Sequence, residues 1–440
     1  KVGIIHCDLY TMTKSKTDKY YETYDYNSRR PVQIELETLR EDQQKRLIES
    51  KVFCMIPWTH IHGFPTGEAY PCCLGEMEHP IGNMRTNTLE EIWNGDAYKD
   101  MRQNMLNDNS CKECTRCYEQ EEQGFFSMRN SSNKHFGHHI EKVDQGIDPD
   151  FELVYWDIRF SNQCNMKCRS CGPMFSSLWY DDHVKMHGKA PSHNRIEWAG
   201  KNKNDIWEQM IPHIDCIEQV YFAGGEPLIM QEHYNILKEL VKREKFDVKL
   251  IYNTNFSVTT WKDLDVLEMW KLFDSVSVGA SLDAMGERAE LMRSGTVWNQ
   301  TMANRDRMLK VCPNVDFYIS PTVSLMNIDH VVDFHKDWIN RGFLKPQDLN
   351  VNILQSPEWY RADCLPQTLK NNITKKIQEH IEWLSPQDHL QRATNGFKSS
   401  LSFMNNTDNT HNLNRFNQVT SQLDSVRNEK FYDIFPELKG

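Results

Sequence analysis

The stretch L-V-Y-W-D-I-R-F-S-N-Q-C-N-M-K-C-R-S-C-G, Leu153 to Gly172, joins a strand-like run to three closely spaced cysteines, Cys164, Cys168 and Cys171. The first eight residues are rich in aromatic and β-branched side chains, which suit a pleated, half-buried surface. The loop after them spaces its thiols as C-x3-C-x2-C. A structural zinc site is normally closed by four ligands, and disulfides require an oxidising compartment. Three thiols on one loop suit an iron–sulfur cluster with one iron left open. A zinc site completed by a distant residue is the alternative.

Outward from this stretch the pattern alternates regularly. Five more strand-like runs follow, Ile217–Phe222, Val248–Tyr252, Ser275–Ser281, Val315–Thr322 and Leu349–Leu354, with helical patterns between them, clearest in Gln231–Arg243. Strands separated by helices imply right-handed parallel βαβ units. Six such units suit a partial, open barrel as well as a doubly wound sheet, and in either the functional groups gather at the C-terminal strand ends. The cysteine loop leaves the first strand at that end.

The chain divides by composition into five segments. Residues 1–50 form a polar extension, with one weakly amphipathic helix expected over Ile34–Ser50. Residues 51–130 are a Cys-rich auxiliary domain, in which Thr88 and Glu91 form a capping box opening a helix. Residues 131–150 read as a linker, 151–360 as the α/β domain, and 361–440 as a helical extension with a loop at Asn405–Asn412. The net charge of −11 over 440 residues gives no electrostatic case for nucleic acid or anionic lipid. No apolar run approaches the roughly 20 residues of a membrane span. Nine of the 13 cysteines fall in two dense groups, which points to metal ligation in a reducing cytoplasm. Cys7, Cys216, Cys312 and Cys364 read as ordinary thiols.

The C-x3-C-x2-C loop after a first strand resembles the radical S-adenosylmethionine superfamily. The resemblance implies a partial (β/α)6 TIM-like barrel. It also implies that Cys164, Cys168 and Cys171 hold a [4Fe–4S] cluster whose fourth iron is chelated by the methionine end of S-adenosylmethionine. An electron from the cluster then cleaves the sulfonium to a 5′-deoxyadenosyl radical, which takes hydrogen from substrate. One departure is Ser170, where the family often has an aromatic residue. The run Gly224, Gly225, Glu226, Pro227 resembles the family's cofactor-binding motif after the second strand, which meets the methionine amino group. Asn255 ends the third strand near the cofactor. Ser281, with Asp283, ends the fourth and is expected to meet the ribose, and Arg293 matches an arginine that pairs with the cofactor carboxylate. Thr322 and Leu354 end the fifth and sixth strands and flank the cofactor.

The earlier cysteines resemble the superfamily's auxiliary-cluster domains, SPASM in full form and twitch when shortened. The matching pieces are Cys54, Gly67 and Cys72, then Cys111, Cys114 and Cys117, here placed before the barrel rather than after it. The preferred ligands of a second [4Fe–4S] cluster are Cys54, Cys72, Cys114 and Cys117, with Cys73 and Cys111 as rivals and structural zinc as the alternative. The resemblance implies an enzyme acting on a peptide or protein side chain, supplied with electrons by a flavodoxin- or ferredoxin-like donor. The alternatives are a small molecule such as an aminoglycoside or nucleotide, and a non-catalytic iron–sulfur or zinc scaffold. No catalytic acid or base is identified.

Overall fold

A computed structural model of the chain describes residues 38–439, apart from 123 and 125. Cys7 and the first residues of the expected Ile34–Ser50 helix lie outside the described residues; the remainder is helical over Glu41–Gln44 and Lys45–Glu49. The chain forms two compact units. The first comprises 38–59, Leu74–His79 and Asn94–Phe151, and the second His60–Cys73, Pro80–Trp93 and 152–439.

In the second unit the strands are β1 (His60–Gly63), β2 (Glu68–Tyr70), β3 (Gly82–Asn83), β4 (Tyr155–Ile158), β5 (Lys167–Cys168), β6 (Gln219–Phe222) and β7 (Lys249–Thr254). They continue with β8 (Thr260–Trp261), β9 (Leu264–Asp265), β10 (Val276–Ala280), β11 (Arg293–Ser294), β12 (Asp316–Ile319), β13 (Thr322–Val323) and β14 (Asn352–Ile353). The main sheet has the order β12-β10-β7-β6-β4-β1-β2-β3 and is open rather than closed. From β12 to β1 every pairing is parallel. The sixth expected run joins through a parallel bridge, Ile319 to Leu349, and through β14 pairing with β13. The α/β architecture read from the sequence is therefore the one observed.

Period-2 alternation splits the sheet's two faces. Trp156, Ile158, Val220, Phe222, Leu250, Tyr252 and Val278 are buried on one face. The helix Gln231–Lys242 packs there, with His233 edge-on to Phe222 and its Nε2 3.0 Å from the Tyr252 hydroxyl. Each such side chain withdrawn from water contributes about 1.5–3 kcal/mol. The register places His62, Asp157, Tyr221, Asn253 and Ser277 on the other, polar face.

Strands β1 to β3 come from the Cys-rich 51–130 stretch, yet they extend the main sheet. β1 pairs parallel with β4 and covers an edge that would otherwise expose unpaired backbone groups. The expected capping box is present: Glu91 N–H donates to Thr88 Oγ1 at 3.1 Å and Thr88 N–H to Glu91 Oε2 at 2.8 Å.

The first unit is mostly helical. Within residues 131–150, read from the sequence as a linker, the chain is helical as far as Gln145: Met128–Phe136 runs into a 3-10 segment, Gly137–Gln145. Ser127 caps the first of these helices, and Ile140 and Val143 are buried. The C-terminal extension is helical over Gln367–Leu384, Arg392–Asn406 and Leu413–Arg427. Among the described residues no helix is long and apolar enough to cross a membrane.

Candidate iron–sulfur centre

The triad loop is held by pairing at a distance. β5 pairs antiparallel with β11, bringing Cys168 opposite Arg293. Arg169 N–H donates to the Met292 carbonyl at 2.8 Å, and Trp179 Nε1 donates to the Cys168 carbonyl at 2.9 Å. Within the loop, Cys171 N–H turns back to the Cys168 carbonyl at 3.0 Å, and Ser176 Oγ donates to the Met166 carbonyl. Burial raises all three thiols above their ordinary range, Cys171 to about 12. Without metal they stay protonated, so ligation must displace protons. Three thiols on one loop fit a cluster with one iron open.

The motif Gly224–Pro227 closes one side of the triad loop. Gly224 has φ +116°, a conformation L side chains rarely adopt. A Cβ on Gly225 would lie 2.1 Å from the Gln163 carbonyl oxygen, one residue before Cys164. Glu226 N–H donates to that same oxygen at 2.8 Å. The Glu226 carboxyl is buried and accepts from Thr254 Oγ1 (2.6 Å), Asn255 N–H (2.7 Å) and Leu228 N–H (3.0 Å). Burial pushes this carboxyl up to about 7, against the pull of its hydrogen bonds. Its side chain therefore ties the ends of β6 and β7 together, while Pro227 opens a short 3-10 turn. Asn255 Nδ2 reaches Asn165 Oδ1, inside the triad loop, at 2.8 Å.

Arg293 and Asp283 form a second rim. Arg293 Nε and Nη2 lie 2.7 and 3.1 Å from the two Asp283 oxygens, and Nη1 is 3.8 Å from Cys168 Sγ. Asp283 Oδ1 also accepts from Thr322 N–H at 2.8 Å. The guanidinium thus sits at the triad, held by Asp283 and not solvated on a helix. Ser281 N–H donates to the Thr254 carbonyl and Leu354 N–H to the Val323 carbonyl, so both residues stand at strand ends as expected.

Sequence reading missed how the C-terminal helices grip this loop. Arg169, fully buried between Cys168 and Cys171, pairs with Asp424 and with Glu429 Oε2 (2.6 Å), over the Phe431 ring. Arg427 Nε donates to Asp182 Oδ2 at 2.7 Å, and Lys167 Nζ lies 3.0 Å from the same oxygen. An arginine between two triad cysteines was the available signal, but its partners are some 250 residues away.

In the first unit Cys54, Cys114 and Cys117 converge around Tyr118 and Arg129. Tyr118 is within electrostatic reach of Cys54, Cys111 and Cys114, and Arg129 of Cys54 and Cys117. Asn133 holds the Cys54 segment, accepting from Met55 N–H at 2.9 Å and donating to the Phe53 carbonyl at 3.0 Å. Burial lifts the Cys54 and Cys111 thiols to about 12. The Cys111 thiol points at the Met101 carbonyl, 3.7 Å away. Cys72 and Cys73 belong to the second unit, just beyond β2; Cys73 is within electrostatic reach of Tyr155 and Arg159.

Two family models fall on these cysteine groups. The model of the SPASM iron–sulfur cluster-binding domain matches residues 54–118, and that of a 4Fe-4S single cluster domain matches residues 157–315. The chain thus carries stretches similar to both kinds of iron–sulfur domain, the SPASM-type one ahead of the one that holds the triad. No curated protein matches it. Among solved structures, native anSMEcpe with bound AdoMet and Cp18Cys peptide is 19% identical over 53% of this chain and 59% of that one, with a TM-score of 0.32. Streptococcus suis SuiB bound to S-adenosylmethionine is 13% identical over 66% of this chain and 62% of that one, with a TM-score of 0.35. The chain thus spans about three fifths of the length of these solved proteins.

Proposed function

We propose that the protein is a radical S-adenosylmethionine enzyme that abstracts hydrogen from a peptide or protein side chain. One observation carries the reading: the β5–β11 pairing sets Arg293 against Cys168 while the Gly225–Glu226 backbone closes on Gln163, so three thiols and the cofactor-motif residues share one rim. When bound, the cluster and S-adenosylmethionine together supply a 5′-deoxyadenosyl radical that takes a hydrogen atom from substrate.

The chain's own residues prepare that rim. Cys164, Cys168 and Cys171 hold the cluster and leave one iron to the cofactor. Gly224 and Gly225 let backbone come close to the methionine moiety, with Glu226 fixing the turn. Arg293, already aligned by Asp283, offers its guanidinium to the cofactor carboxylate. Asn255, Ser281, Thr322 and Leu354, on the loops and strand termini beside the triad, would surround the adenosyl moiety, with Ser281 toward the ribose. In the SPASM-type domain Cys54, Cys114 and Cys117 supply ligands to an auxiliary cluster, with the Arg129 charge beside Cys54 and Cys117 partly offsetting the burial of their thiols. The peptide reading rests on the SPASM match, since relatives carrying such domains commonly modify peptides. A reduced flavodoxin or ferredoxin supplies the electron.

The test is anaerobic reconstitution followed by reduction with dithionite and S-adenosylmethionine. Wild type releases 5′-deoxyadenosine, and Cys168→Ala does not. Full activity in Cys168→Ala, or none in cluster-loaded wild type, rejects the reading.

A further inference from the structure

Three side chains on the polar face of β1 and β4 belong to neither cysteine site. His60 and His62 lie two residues apart on β1 and so project to the same face. The register sets His62 opposite Asp157 and His60 opposite Tyr155. All three side chains are fully buried. One nitrogen from each imidazole and one Asp157 oxygen lie within 4.8 Å of one another.

The surroundings orient these groups as ligands. His60 Nδ1 is 2.8 Å from the Tyr155 carbonyl, which can only accept, so Nδ1 carries the proton and Nε2 the lone pair. Arg159 Nε donates to Asp157 Oδ1 at 3.0 Å and leaves Oδ2 turned toward His62. Metal-binding histidines and carboxylates are characteristically held in this way by outer hydrogen bonds. His62 Nδ1 and Asp157 Oδ2 stand 3.1 Å apart. Among the described residues, neither atom has a hydrogen-bond partner, and neither does His62 Nε2. The two atoms meet as a buried ion pair without full hydrogen-bond geometry, and His62 Nε2 has no partner among the described residues, so part of the desolvation cost stays unmet. A shared cation removes it: ligands near 2.0–2.2 Å from zinc are separated by about 3.4 Å in a tetrahedron.

We propose that His60, His62 and Asp157 form a mononuclear site for a divalent transition-metal ion. Three protein ligands leave a fourth position for water or a substrate donor atom. The His62 ring packs edge-on against Phe64, and Phe64 against Phe175 of the triad loop, at centroid distances of 4.7 and 5.7 Å. Two phenylalanine rings in series therefore lead from the site to the segment just after Cys171, though the site's existence does not depend on cofactor cleavage.

The experiment uses cluster-loaded protein, with iron and sulfide counted, equilibrated with zinc alone and then desalted. About one zinc per chain is expected, and its X-ray absorption should show nitrogen and oxygen neighbours near 2.0–2.2 Å and no sulfur shell near 2.3 Å. His62→Gln and Asp157→Asn should each weaken zinc retention at least a hundredfold with iron content unchanged. If the wild type retains no zinc, His62 and Asp157 are only an ion pair and the proposal falls. A sulfur-dominated shell overturns it as well, because the zinc then sits on cysteines. The wild-type spectrum decides even if a variant fails to fold.

Discussion

Gly225→Ala probes the closest approach in the triad domain. A Cβ there would stand 2.1 Å from the Gln163 carbonyl oxygen and 2.7 Å from its carbon, both backbone atoms, whereas ordinary contact begins near 3.4 Å. No rotamer relieves this, so the turn after β6 must move away from the triad loop by roughly 1 Å in a close-packed region. Overpacking of this kind costs about 1–3 kcal/mol. Stretching the Glu226 N–H bond to Gln163 adds about 1 kcal/mol. A displacement of about 1 Å can also cost about a hundredfold in rate. The expected outcome is a lower urea midpoint, S-adenosylmethionine affinity at least about tenfold weaker by calorimetry, and near-normal iron content. Affinity within twofold of wild type, with an unchanged midpoint, would refute the claim that this backbone closes the cofactor site.

Arg293→Lys keeps the charge but loses the fork on Asp283; cofactor affinity should fall by about 1.5–3 kcal/mol with iron unchanged, and an unaltered calorimetric Kd would detach Arg293 from the site. Arg169→Met strands Asp424 and Glu429, so stability should drop by about 3 kcal/mol and iron should pass to a chelator faster; wild-type retention would show that the C-terminal helices do not support the loop. Burial keeps folded Glu226 protonated to about pH 7, whereas the unfolded chain ionises it near 4.5. Stability should therefore fall as pH rises between those values, by about 3 kcal/mol in all, and Glu226→Gln should flatten the slope; identical slopes in urea titrations would contradict the buried, raised carboxyl.

The six strand runs were legible because apolar alternation survives in each, and the triad because its thiols are neighbours in sequence. The Thr88–Glu91 cap was legible for the same local reason. β1 and β2 were not, since H-I-H-G and E-A-Y are short and lie among turn residues, and only the open edge of β4 makes them strands. The 131–150 helices were hidden by histidines and polar residues around Ile140 and Val143, whose burial depends on tertiary contacts. Arg169 with Asp424, and His62 with Asp157, join residues 255 and 95 positions apart in the chain, so no local pattern signals either pair. Of the residues carried over by resemblance, Gly224–Pro227, Asn255, Ser281 and Leu354 follow the ends of β6, β7, β10 and β14, while Thr322 opens β13. The engagement of Arg293 with Asp283, however, follows from the β5–β11 pairing and from no motif.

The cluster held by Cys164, Cys168 and Cys171 should have an open iron that the cofactor occupies. Electron paramagnetic resonance of reduced Cys114→Ala/Cys117→Ala protein isolates that cluster from the auxiliary one. Adding S-adenosylmethionine should shift its signal, and labelling the methionine nitrogen or carboxylate oxygen with a magnetic isotope should add hyperfine coupling. A spectrum unchanged by saturating S-adenosylmethionine would contradict the account.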